Sequence, residues 1–210
     1  MKKLLVLTLL ICVAMVTQAA EPVIKLQKPN MNRSGSVMKA FAERQSTREF
    51  ATKPLTIADL SDLLWAAYGV NRADGRRTAP SAMNRQDVSL YVVLPQGVYL
   101  YDAPKEQLTL VVEGDHRALL GAGQDFMNTA PLALLLITDL AKLGDPKNER
   151  TFAMGAADVG IVSQNISLFC AAAHLATVPR AMMDTAKLKT LLKLTDAQQP
   201  ILNHPVGYFK

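Results

Sequence analysis

A chain of 210 residues with a formal charge of +5, half of its residues hydrophobic, is long enough for one domain with a real core and too mildly basic to argue for nucleic acid. Its basic residues are scattered rather than striped among aromatics, and His116, His174 and His204 lie too far apart to read as a metal-ligand set. No Walker loop, G-x-G-x-x-G run or G-x-S-x-G elbow occurs.

Residues 1–20 read as a secretory signal peptide. Lys2 and Lys3 form a positive n-region, Leu4 to Val16 an apolar run, and Thr17-Gln18-Ala19-Ala20 supplies small residues for cleavage before Glu21-Pro22. A membrane anchor is the alternative, but the run falls short of the roughly 18–20 apolar residues a spanning helix needs. Because the n-region has no Arg-Arg pair, general export is favoured over twin-arginine export, which places the mature protein in the periplasm with no membrane attachment after cleavage. Removing Lys2 and Lys3 leaves a formal charge of +3, and removing Cys12 leaves Cys170 alone, so no intramolecular disulfide can form.

Residues 21–37 are polar and irregular, an N-terminal arm ahead of one domain over 38–210. Val37 to Gln45 reads as a short helix. Thr56 to Tyr68 is amphipathic, with Thr56 as N-cap, Asp59 in the first turn, and Ile57, Leu60, Leu63, Leu64 and Ala67 at helical spacing before Gly69. Residues 70–87 lack periodicity and read as a loop. Val88–Leu94 and Val98–Asp102 make a hairpin around Pro95-Gln96-Gly97. A helix is expected over 114–130, although Gly121 and Gly123 weaken it. Leu132–Thr138 is apolar enough for a strand buried on both faces, and 143–150 is a charged loop. Phe152–Leu175 is a helix apolar almost all round, with Cys170 as buried filler. An extended segment, 177–183, precedes a helix capped by Asp184 and ending near Leu194, and Ile201–Phe209 closes the chain as a strand. This is an α+β pattern with a mixed sheet flanked by helices.

Two segments carry chemistry. Arg44-Gln45-Ser46-Thr47-Arg48 spaces two guanidinium groups and a hydroxyl at i, i+2 and i+4. On a strand these face one side, and at a helix end the arginines share a face, so either geometry converges them on one anion. A solvated charge cluster is the competing reading, because Glu43 and Glu49 flank the arginines. Ala79-Pro80-Ser81-Ala82-Met83-Asn84-Arg85-Gln86 is the second segment; alone, it would be an ordinary Pro-containing turn.

Together, and in this order, the segments resemble the R-x-S-x-R and A-P-S-A-x-N-x-Q signatures of the nitroreductase family, and the likeness runs over roughly residues 38–210. Asp158 to Asn165 resembles the family's core helix with its G-x-x-x-Q-N pattern, in which Gln164 and Asn165 serve packing and hydrogen bonding. The ending Val206-Gly207-Tyr208 resembles its closing strand. The resemblance implies an FMN-dependent oxidoreductase, homodimeric, with each flavin site shared between subunits. It implies that Arg44 and Ser46, with Gln45 between them, hold the phosphate, while Arg48 reaches the pyrimidine edge near N1. There a positive charge favours the reduced flavin. Pro80, Ser81, Ala82 and Asn84 would come from the second subunit, with Gln86 holding that loop. The backbone at Arg180 and Ala181 would donate to N5 or O4. Gln124 is a further candidate for the pyrimidine edge, and Lys210 for the phosphate. No catalytic residue beyond the flavin is implied. A small organic molecule would be the substrate, by ping-pong hydride transfer.

Two departures stand out. His174-Leu175 replaces the usual Gly-Leu after the core helix. A periplasmic location also supplies no evident NADH or NADPH, leaving another reduced carrier, or the substrate itself as hydride donor, as in the azoline-oxidising branch of the superfamily. Two other readings stay open: a flavin-binding or redox-sensing protein without turnover, and a scaffold whose arginines bind another anion.

Overall fold

The computed structural model describes residues 19–33 and 35–210. The signal-peptide expectation therefore falls almost wholly outside the described residues.

Among the described residues, seven strands form one sheet. They are β1 (Val23–Lys25), β2 (Val88–Leu94), β3 (Gly97–Asp102), β4 (Gln107–Glu113), β5 (Leu132–Asp139), β6 (Leu175–Thr177) and β7 (Gln198–Tyr208), in the spatial order β1-β4-β3-β2-β5-β7-β6. The expected mixed sheet is antiparallel at every described pairing. Tight turns join β2, β3 and β4, and the long excursion after β5 returns β7 antiparallel to it. Three strands were not foreseen. β1 belongs to the arm expected to be irregular, β4 lies in an unassigned stretch, and β6 falls at the end of the expected long helix.

The arm is strapped down rather than loose. β1 pairs with β4, Gln27 N donates to Ser61 Oγ (2.9 Å), and Asn30 N donates to Asp62 Oδ1 (2.8 Å). Arg33 pairs with both Asp59 and Asp62 and stacks on Phe169.

Helix α1 (Val37–Glu43) is capped by Ser36 and ends two residues before its expected end at Gln45. Helix α2 (Ile57–Tyr68) forms as its pattern requires: Thr56 Oγ1 accepts from Asp59 N at 3.1 Å. The helix expected over 114–130 is two short ones, α3 (Arg117–Gly121) and α4 (Phe126–Thr129). Ala122 (φ 46°) and Gly123 (φ 86°) turn left-handed between them and break the hydrogen-bond ladder. Helix α5 (Glu149–Ala172) starts within the expected loop, capped by Asn148, and α6 (Thr185–Leu191) is capped by Asp184.

β5 is buried on both faces along Leu132–Thr138, as its unbroken apolar run requires. Leu132, Leu134 and Leu136 pack with Val159, Val162 and Ile166 of α5 and with Leu63 and Leu64 of α2. Ala133, Leu135 and Ile137 face the opposite layer, which includes Leu120, Met127, Leu188 and Leu192. Helix α5 is not buried all round: Phe152 and Ile161 stay exposed at 47% and 38%.

Candidate active site

Leaving α1, the chain runs extended along the sheet edge at β6. Thr47 N donates to Thr177 O (2.9 Å), and Ala51 N donates to Tyr208 O (2.9 Å). Arg44, Gln45, Ser46 and Arg48 are all exposed along this strip. Glu43 turns back to Lys39 (3.6 Å), and among the described residues neither Arg44 nor Arg48 pairs with a carboxylate. The flanking acids therefore do not neutralise the arginines. Arg44 and Gln45 line a cavity of about 430 Å³ together with Ser167, His174, Thr177 and Phe209. Lys210 follows Phe209 and is exposed beside it in the chain.

A buried network fixes the strand that this strip leans on. Thr177 Oγ1 spends its proton on Pro205 O (2.9 Å), so it accepts from His204 Nδ1 (3.3 Å). His204 Nε2 is then the acceptor for Ser163 Oγ (2.7 Å). Burial pushes the His204 pKa down to about 3, keeping the ring neutral, and drives the Cys170 thiol upward, so that Cys170 is inert filler.

The second segment folds back over α5. A 3-10 turn, Ala82–Asn84, carries Met83 and Asn84 at φ 51° and 54°, with Gln86 following at 48°. Ser81 Oγ accepts from Gln86 N (2.8 Å). Gln86 itself accepts from Arg77 Nε (3.0 Å) and donates to Gly75 O (3.1 Å). Gln86 thus holds the loop. Ala82 N donates to Asp158 Oδ2 of α5 at 2.7 Å. Met83 and Asn84 face outward, exposed. Within one chain the two segments do not meet: Asp158 and Ala171, beside the Arg44 cavity, lie about 20 Å apart along α5.

Residues 41–208 match the Nitroreductase family. The chain belongs to that family. A candidate nitroreductase of Methanocaldococcus jannaschii is 30% identical over 174 residues, covering 79% of this chain and 87% of that protein. A crystal structure of a candidate nitroreductase from Ralstonia eutropha JMP134 is 36% identical, with a TM-score of 0.83 over 90% of each chain. The Escherichia coli microcin synthetase McbBCD complex shares the fold at 18% identity. Its TM-score is 0.68, with 81% of this chain and 73% of the other covered. The protein is thus a nitroreductase-family oxidoreductase.

Within that family frame, the corner after α5 explains itself. His174 takes φ 53°, the left-handed conformation that glycine supplies elsewhere, so the chain turns into Leu175 without it. Asn165 Nδ2 ties α5 to the end of α2 through Ala66 O (3.2 Å), as expected of a packing residue.

Two expected contacts need correction. Arg180 N already donates to Asn203 O (2.9 Å), so it is not available to a flavin edge; the neighbouring Ala181 N–H has no protein acceptor among the described residues. The Arg180 side chain points inward, 7% exposed. It donates to Leu120 O (2.6 Å), Gly121 O (3.1 Å) and Asn203 Oδ1 (3.1 Å), and it covers the Phe126 ring. It also donates to Gln124 Oε1 (2.8 Å), while Gln124 Nε2 turns to Met182 Sδ (3.7 Å), which makes Gln124 part of the lock on the α3–α4 turn rather than a free edge donor. Burial, and then the charge of Arg48, lower the Arg180 pKa. Sequence reasoning overlooked Arg180 as a side chain, and it also overlooked Asp87 and Asp158. The one available signal was an Asp on an otherwise apolar stretch of the core helix.

Proposed function

We propose that this protein is an exported, homodimeric, FMN-dependent oxidoreductase acting by ping-pong hydride transfer on a small organic substrate. The observation that carries the reading is the pair Arg44 and Arg48, exposed and without carboxylate partners among the described residues, flanking Ser46 beside the Arg44–Phe209 cavity. A dianionic phosphate and a flat ring with a polar edge fit this donor set, since arginine forks and a hydroxyl suit the first and an unpaired backbone N–H the second. Arg44, Gln45 and Ser46 would hold the phosphate, with Lys210 from the chain end, and Arg48 would sit at the pyrimidine edge. Ala181 N–H would meet the N5 or O4 edge. Bound FMN supplies the capacity to take hydride from a donor and pass it to an acceptor. The chain's task is to orient it and to keep positive charge beside the edge that becomes electron-rich.

Two features support a shared site. The 79–86 loop lies far along α5 from its own chain's arginines, and Val37, Met38 and Phe41 on α1, Phe152 and Ile161 on α5, and Met83 on the loop expose apolar surface on one chain. Pro80, Ser81, Ala82 and Asn84 would then serve the partner's flavin. The donor outside the cytoplasm would be a reduced carrier other than a nicotinamide, or the substrate itself.

Mixing two disabled chains tests the arrangement. Asn84→Asp suits the positive φ of that position and sets a charge against the flavin phosphate. Mixed with Arg44→Ala chains, it should restore one FMN site per heterodimer, in a species of twice the chain mass. A mixture binding no better than either variant contradicts a shared site.

A further inference from the structure

Beneath the 79–86 loop lie two buried acids that no cation pairs with among the described residues. Asp87 is 0% exposed and Asp158 5%. Asp87 Oδ2 accepts from Thr138 Oγ1 (2.6 Å), while Asp87 Oδ1 is buried without a donor. Asp158 Oδ2 accepts from Ala82 N, and Asp158 stands one helical turn from Gly155, which packs on the same Thr138 hydroxyl that Asp87 holds, so that the charge of Asp87 bears on its carboxyl. Gly155 makes the approach possible. A Cβ there would lie 2.5 Å from Thr138 Oγ1, so the glycine lets α5 settle on β5 and brings Asp158, one turn on, to Asp87.

Two neighbouring buried carboxylates cannot both stay charged cheaply without a cation, and a proton on one supplies the donor the other lacks. The charged and titratable groups around the pair are few. Tyr68 comes from α2. Arg77, from the loop, is committed to Gln86, Tyr68 O and the Tyr68 ring. Lys142 donates to Gln86 O. None of them pairs with either acid among the described residues.

We infer that Asp158 and Asp87 form a proton-sharing clamp that positions the 79–86 loop, holding it firmly while the pair carries one proton and loosening it when both carboxylates are charged. The loop needs such a hold. Three of its residues, Met83, Asn84 and Gln86, are non-glycine residues in the left-handed region, and the Ala82 N–H bond is its direct tie to α5. Burial pushes Asp158 up to about 6, helped by the hydrogen bond and charge of Asp87 and opposed by Ala82 N–H. Lifting the loop admits water to Asp158 and removes the desolvation that is the main cause of its raised pKa, so the closed loop keeps a proton that the open loop releases. Closure therefore weakens as pH rises from about 4 to about 6 and levels off above that. The consequence for flavin rests on the function proposed above.

The test is hydrogen exchange at the Ala82 amide in the full-length mature protein, expressed as protection factors, which remove the intrinsic pH dependence of exchange. The wild type should lose protection about tenfold or more between pH 4.5 and pH 7. Asp158→Asn keeps an acceptor for Ala82 N and gives Asp87 a donor, so it should stay protected with no slope, and Asp87→Asn should also flatten the profile. Asp158→Ala should be unprotected throughout. A flat wild-type profile, or an Asp158→Asn profile as steep as the wild type's, overturns the clamp whether or not FMN binds. FMN titration of the same samples separates the two ideas. Failure of every sample to bind FMN overturns the proposed function and leaves the clamp standing. Equal FMN affinity despite altered loop protection overturns the link from clamp to flavin.

Discussion

Replacing Arg44 with Ala is expected to weaken FMN binding about ten- to a hundredfold, from the roughly 1.5–3 kcal/mol carried by a charge-assisted hydrogen bond. Folding should be nearly untouched. Arg44 is exposed and makes no ion pair among the described residues, and exposed substitutions of that kind stay within about 0.5 kcal/mol. FMN titration alongside a thermal melt reads both quantities. Equal dissociation constants for the two proteins would remove Arg44 from the site, and a large fall in Tm would make it a structural residue instead.

The largest expected loss of stability comes from Gly155→Leu. The new Cβ alone would stand 2.5 Å from Thr138 Oγ1 and 3.0 Å from Leu140 Cδ2. Thr138 cannot simply turn aside, because its hydroxyl is bound to Asp87 at 2.6 Å. Helix α5 must lift from β5, which combines overpacking with the loss of a buried hydrogen bond, for a cost of about 3 kcal/mol. At this chain length that corresponds to a fall in Tm of roughly 10 °C. Gly160→Ala is the control, since a Cβ there meets nothing within 4 Å. It should leave Tm unchanged or slightly raised. A Gly155→Leu protein as stable as the wild type would mean that α5 does not pack this closely on β5.

The elements legible in the sequence are those whose signals are local. α2 announces itself through Thr56, Asp59 and its apolar spacing, the β2–β3 hairpin through Pro95-Gln96-Gly97, and β5 through an unbroken apolar run. The misses follow from partners far away in the chain. Val23–Lys25 becomes a strand because β4 offers an open edge, and Leu175–Thr177 because β7 does. The helix expected over 114–130 is interrupted at Ala122 and Gly123, where Arg180 collects the freed carbonyls of Leu120 and Gly121 from about sixty residues on.

The site divides the same way. The arginine strip is readable as a motif because its side chains are sequence neighbours. That Arg180 faces inward, that Ala181 carries an N–H unpaired among the described residues, and that Asp87 and Asp158 lie together under the loop all depend on tertiary packing. No spacing rule relates Asp87 to Asp158; Gly155 and Thr138 bring them together.

The most direct measurement of the central claim is an FMN titration of the purified mature protein, followed by visible absorbance and size-resolved light scattering. The account predicts saturation at one FMN per chain, with the flavin bands travelling with a species of twice the chain mass. A protein that stays colourless at saturating FMN, or that carries flavin as a monomer, would contradict it.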